Sequence, residues 1–162
     1  MPCRKLGGGI LPGDHRRKGS MGRVMGLDVG TKTIGIAISD PDQRLASPIQ
    51  TLSRRSVRID TARLQALADE RGIAAVVVGM PFELDGSEGR SARLARQVGE
   101  ALGELTGLPI RYVDERYSSV EAERQLIAVD MSRRRRRQVI DQAAAVLILQ
   151  SYLDYPEIAD GV

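Results

Sequence analysis

The stretch Arg23-Val24-Met25-Gly26-Leu27-Asp28-Val29-Gly30-Thr31-Lys32-Thr33-Ile34-Gly35-Ile36-Ala37-Ile38-Ser39-Asp40 places two apolar, β-branched runs on either side of a tight Gly-Thr-Lys-Thr connection. That pattern predicts a β-hairpin with Asp28 on its first strand among apolar neighbours. An ionised carboxylate buried without compensation is costly, so this acid calls for a cation, a hydrogen-bond network or a metal ion.

Downstream, Ser47 to Leu52 reads as a third strand, and Asp60 to Arg71 carries Ala62, Leu64, Leu67 and Ala68 at helical spacing before Gly72. Ile73 to Gly79 is nearly all apolar, as expected of a strand covered on both faces of an α/β sheet. A second helix is predicted from Ser91 to Leu105, stopped by Gly107 and Pro109, and a fifth strand from Leu108 to Val113. Helices are then predicted from Ser118 to Leu126, opened by the capping box Ser118 and Glu121, and from Ser132 to Leu153, with Ser132 as N-cap. The order β-β-β-α-β-α-β-α-α implies an α/β fold: a five-stranded mixed sheet, its first three strands antiparallel, with helices on its faces.

A chain of 162 residues, 42% hydrophobic and 28% charged, suits one globular domain. The expected division is a basic, disordered leader over 1–22, a folded domain over 23–154 and a tail over 155–162. The leader, with Gly7-Gly8-Gly9 and His15-Arg16-Arg17-Lys18, reads either as a nucleic-acid-binding tail or as the product of a start upstream of Met21. It lacks the apolar core of a secretion signal, and no apolar run reaches the ~20 residues of a membrane span. A cytoplasmic protein with no membrane role is expected. Cys3 is the only cysteine and His15 the only histidine, which leaves no intramolecular disulfide, no cysteine-cluster metal site and no Ser-His or Cys-His catalysis. Chemistry falls to carboxylates, hydroxyls or lysine.

The carboxylates recur at telling places. Asp114 and Glu115 end the fifth strand, at the edge where α/β sheets bind ligands. Asp141 interrupts the apolar run of the last helix and shares helical spacing with Ala144, Ala145 and Ile148. Acids on separate elements without histidine or cysteine form a hard-oxygen donor set suited to Mg²⁺, with Mn²⁺ as the alternative, and to phosphodiester hydrolysis. The candidate catalytic residues are Asp28, Asp114, Glu115 and Asp141. The expected metal ligands are Asp28, Glu115 and Asp141, with the choice between Asp114 and Glu115 left open. Each acid also has a plainer reading, as a turn cap, a local ion pair with Arg116 or a partner of backbone amides.

Arg133, Arg134, Arg135, Arg136 and Arg137 form an unbroken cationic run just ahead of Asp141. Guanidinium forks bind phosphate, so the expected partner is nucleic acid held by its backbone. Lys32 and Arg116 are further candidates for phosphate contact. Aromatic residues are only 3% of the chain, too few for extensive base stacking. The loop Gly79 to Gly89 could touch substrate or serve as a shaped connection.

Leu27 to Gly35, Val78-Gly79-Met80-Pro81 with Asp85 to Gly89, Asp114 to Ala122, and Val139 to Ala145 occur in the order and spacing of the YqgF/RuvX family. The chain resembles that family from about residue 23 to 154, with mild departures at Met80, Phe82 and Tyr117-Ser118-Ser119. The resemblance implies an RNase H-like fold and a cytoplasmic, Mg²⁺-dependent endonuclease, either a Holliday junction resolvase or a nuclease maturing the precursor of 16S rRNA. It implies site acids at Asp28, Asp114, Glu115 and Asp141, and as partners pre-rRNA, branched DNA or ribosomal precursor particles. A monomer and a homodimer both stay open. Two other classes compete: a nucleotide-binding domain of the actin and sugar-kinase type, and a catalytically weak RNA-binding assembly factor.

Overall fold

Gly30 donates its amide to Thr33 O at 2.8 Å and closes the tight turn between β1 (Arg23–Val29) and β2 (Thr33–Ser39). The computed structural model describes residues 22–117 and 133–161. The helix expected over 118–126, its capping box and the Ser132 cap lie outside the described residues, as does the leader up to residue 21. In β1 and β2 every residue after the first is buried, because the sheet is covered on both faces. The other strands are β3 (Ala46–Ser53), β4 (Ile73–Met80) and β5 (Ile110–Asp114), in the order β3-β2-β1-β4-β5. β1 pairs antiparallel with β2 and β2 with β3, whereas β4 lies parallel to β1 and β5 parallel to β4. The expected mixed sheet is therefore observed.

Three helices occur among the described residues. α1 (Val57–Arg71) starts three residues ahead of the sequence expectation, because Ser56 caps it by accepting from the Ile59 amide at 3.1 Å. Gly72, at φ 66°, ends it in the left-handed conformation that glycine adopts without strain. α2 (Arg90–Thr106) ends likewise at Gly107. Both pack on the sheet face of Met25, Leu27, Ile36, Val76 and Val78. α3 (Arg133–Asp154) covers the opposite face, where Ala144, Ala145, Ile148 and Leu149 meet Val24, Ala37, Val77 and Val113. The segment expected to trail as a tail forms a 3-10 helix over Pro156–Gly161, anchored by buried Ala159. Among the described residues no helix is long and apolar enough to cross a membrane.

Glycines set how closely α3 approaches the sheet. A Cβ on Gly26 would lie 2.7 Å from Leu149 Cβ, and one on Gly79 would collide with the Ile148 side chain. At the far edge, Gln150 accepts from the Ala46 amide and donates to Arg44 O, both at 2.9 Å, which holds this stretch of α3 by the start of β3. The beginning of α3 therefore lies toward the carboxyl ends of β1 and β4.

Candidate functional site

Alternation along β1 sends Met25, Leu27 and Val29 toward α1 and α2, and Val24, Gly26 and Asp28 toward α3. Asp28 is buried at 6% exposure. On one side its cross-strand partner is Gly35. On the other, the register Gly26 to Val77 and Leu27 to Val78 continues to bring Asp28 beside Gly79. The acid thus stands between two residues without side chains, on a sheet whose strands are about 4.8 Å apart.

Glu115 occupies the room left by one of them. Its Oε2 lies 3.0 Å from the point that a Cβ on Gly79 would take. Asp28 and Glu115, far apart in sequence, consequently share the α3 face of the sheet, one beside Gly79 and the other over it. Position 141 falls one helical turn before Ala145, whose carbonyl abuts Gly26, so the backbone of α3 brings Asp141 toward the same strand ends. The Asp141 side chain lies outside the described residues, as do those of Arg133, Arg134, Arg135, Arg136 and Arg137, which form the first five positions of α3.

Asp114 points the other way. It pairs in register with Met80, on the α1 and α2 face, and is 3% exposed. Arg116 closes a two-pronged contact on it: Nε reaches both carboxylate oxygens, and Nη2 lies 2.6 Å from Oδ2. The Arg116 amide also donates to Asp114 Oδ1 at 2.9 Å, tightening the 3-10 turn Glu115–Tyr117. The guanidinium lies 5.6 Å from the Phe82 ring centre and borders Gly86. Arg116, expected on phosphate, thus turns its fork inward and ties the end of β5 to the loop between β4 and α2. The plainer reading of Asp114 and Arg116 as a local ion pair describes their geometry.

That loop is internally shaped. Asp85 accepts from the Ser87 hydroxyl at 2.6 Å and from its amide at 2.9 Å, which together hold its pKa below the usual carboxylate value. Glu88 accepts from Arg96, with Nη2 to Oε2 at 2.6 Å, and is lowered by that hydrogen bond. Arg96 in turn lies 4.9 Å from the Tyr112 ring centre, and burial pushes the Tyr112 hydroxyl up.

A further support was missed by sequence reasoning. Arg54, just after β3, donates from Nε to Asp60 Oδ2 at 2.7 Å and from Nη1 to Gly30 O at 2.9 Å, and its amide donates to Lys32 O at 2.8 Å. It fastens the turn that follows Asp28 to the first turn of α1. The available signal was Asp60 itself, which shares the buried helical face of Leu64, Leu67 and Ala68. Lys32 is exposed at the tip of that turn.

Among the described residues there is no group of three or more histidine, cysteine or carboxylate side chains that could hold a metal ion. The described pair, Asp28 and Glu115, is a hard-oxygen donor set that suits Mg²⁺ or Mn²⁺ better than a softer metal.

The chain is 52% identical over 133 residues to the "Putative pre-16S rRNA nuclease" of Nitrobacter hamburgensis, a match covering 82% of each chain. It is 50% identical to the protein of the same name from a Bradyrhizobium species, over 82% of this chain and 83% of that one. Among solved structures, T. thermophilus RuvC in complex with a Holliday junction substrate is similar with a TM-score of 0.54 at 16% identity, covering 83% of this chain and 95% of RuvC. The fowlpox virus resolvase, solved with Holliday junction DNA, gives a TM-score of 0.50 at 11% identity, over 82% and 97% of the two chains. These structural likenesses establish a RuvC-like, RNase H-type fold. The RuvX model, described as Holliday junction resolvase, matches residues 22–155, and with that match spanning the whole sheet and its helices, the chain belongs to the RuvX family.

Proposed function

We propose that the chain is a metal-dependent endonuclease that hydrolyses phosphodiester bonds in structured nucleic acid, with Asp28, Glu115 and Asp141 as its acidic centre. The observation that carries this reading is the convergence of Asp28 and Glu115 across Gly79 on the α3 face. Family membership favours it over a nucleotide-binding domain of the sugar-kinase type.

Asp28, Glu115 and Asp141 would hold Mg²⁺, or Mn²⁺, which supplies activation of water and stabilisation of the leaving oxygen. The protein's own part is positional. The sheet holds Asp28 rigidly on a central strand opposite Gly35, the space over Gly79 admits the Glu115 carboxylate on the same face, and α3 closes one wall. Arg133 to Arg137, at the start of α3, neutralise the nucleic acid backbone. Asp114 acts through Arg116, holding the turn that presents Glu115. The names of the relatives point to precursor 16S rRNA, and the family description points to four-way DNA junctions. We assign both as candidate substrates.

The test is cleavage of a labelled pre-16S rRNA fragment and a four-way DNA junction in Mg²⁺, comparing the native chain with Asp28→Asn. Loss of cleavage with binding retained is expected. Cleavage undiminished in the variant would sink the acidic centre, and absence of cleavage by the native chain with binding intact would favour the assembly-factor reading.

A further inference from the structure

On the opposite side of the sheet from α3, a groove of about 1040 Å³ runs between the connection from β3 to α1 and the outer side of α2. At its upper end Thr31, Arg55, Arg90 and Arg93 line it, and at its lower end Glu100 and Glu104 do. The two other arginines on its wall are occupied, Arg54 by Asp60 and Arg96 by Glu88. Arg55 and Arg90 are exposed and make no ion pair among the described residues, and Arg93 gives one hydrogen bond, to the neutral Glu88 carbonyl at 2.9 Å.

Arg90 and Arg93 stand in the opening turn of α2, where no acid is present and where the helix dipole disfavours cations. The Glu88 carboxylate just ahead of the helix attracts Arg93 as well as Arg96, while Arg90 makes no ion pair among the described residues, so an external anion would offset the cost that remains. The reversal of sign along the groove confines such an anion to the upper end.

That upper end lies at the same edge of the sheet as the acidic face. β3 ends beside the start of β2, the turn Gly30 to Lys32 leads from Asp28 to Thr31, and α2 begins after the carboxyl end of β4. Three residues of chain span at most about 11 Å. That is about three steps along a nucleic acid strand at 3.4 Å each.

We propose that this groove is a second track for the phosphate backbone, in which Arg55, Arg90 and Arg93 hold an arm of the nucleic acid after it crosses the turn beside Asp28. The inference builds on the nuclease reading, and it adds that the substrate drapes over the strand edge onto both faces of the sheet. A branched or folded substrate, whose arms diverge from the scissile site, fits that path better than a single straight duplex.

The experiment measures affinity of the full chain for a labelled four-way DNA junction, with chelator present, across a salt series. The variant Arg55→Ala/Arg90→Ala is compared with Arg71→Ala, an exposed arginine at the far end of α1. Losing two phosphate contacts should weaken binding on the order of tenfold and reduce the salt slope by about 2, while Arg71→Ala changes neither. An unchanged slope in the double variant overturns the proposal, and so does an equal fall in Arg71→Ala, which would reflect net charge alone. Poly-glutamate binding the groove more tightly than the junction, with the same arginine dependence, would overturn it in favour of an acidic protein partner. Because no cleavage is read, the groove can stand when the acidic centre fails, and the reverse.

Discussion

Arg116 Nη2 lies 2.6 Å from Asp114 Oδ2, and the same guanidinium reaches across to the Phe82 ring and the Gly86 turn. Successive acids at the end of β5 are thereby given different tasks by the pleat. Asp114 is locked under the loop on one face, while Glu115 stands over Gly79 on the other.

The pair is asymmetric in burial, with side-chain exposure of 3% for Asp114 and 36% for Arg116. Removing the cation strands a buried carboxylate, whereas removing the acid leaves a guanidinium that water can reach. Arg116→Ala should therefore cost about 2 to 3 kcal/mol and Asp114→Ala about 1 kcal/mol, measured by urea unfolding. Equal losses would show that the carboxylate is not held by this contact.

Gly79→Ala should damage stability and chemistry together. Its Cβ would collide with Ile148 and lie 3.0 Å from Glu115 Oε2, so α3 and the acid must both move. A loss of about 1 to 3 kcal/mol is expected, with cleavage reduced beyond the loss of folded protein. Gly99→Ala is the control: its Cβ would lie 2.6 Å from Tyr112 Oη, away from Glu115. It should lose stability but keep its activity per folded molecule.

Arg54→Ala should be among the most damaging single changes away from the acids. Asp60 is fully buried, and Arg54 supplies its charged partner while also bonding Gly30 O. The expected cost is about 3 to 5 kcal/mol in urea unfolding. A loss below about 1 kcal/mol would mean that the turn after Asp28 is held by other contacts.

Glu88 gives a pH signature. Its folded pKa is depressed below the ordinary 4.5, chiefly by the Arg96 hydrogen bond. A depressed carboxylate contributes stability that is fully present above its unfolded value and lost as pH falls through the folded one. Glu88→Gln should be less stable than the native chain at pH 7, and the gap should narrow as pH falls below about 4.5. A gap constant with pH would indicate that the ion pair contributes nothing to stability.

Much of this architecture could be read from local pattern. The β1 and β2 hairpin follows from apolar runs around a glycine turn, β4 from a continuous apolar run, and α1 and α2 end where Gly72 and Gly107 adopt positive φ. Helix starts were less legible: α1 begins at Val57 because the Ser56 hydroxyl caps it, a contact that apolar spacing does not register.

The sequence by itself determined the α/β class and the mixed sheet and left any chemistry to carboxylates, hydroxyls or lysine, because periodicity, turn residues and the near absence of histidine and cysteine are properties of neighbouring positions or of composition. Only the tertiary structure decided which acids share a face. The parity of Asp28 depends on strand register, and the place of Glu115 on the same face needs the side-chain-free space over Gly79. The inward turn of Arg116, the burial of Asp60 beneath Arg54 and the groove beside α2 likewise arise between elements distant in sequence. Such relationships are set by packing, which the order of residue types along a strand or helix does not specify.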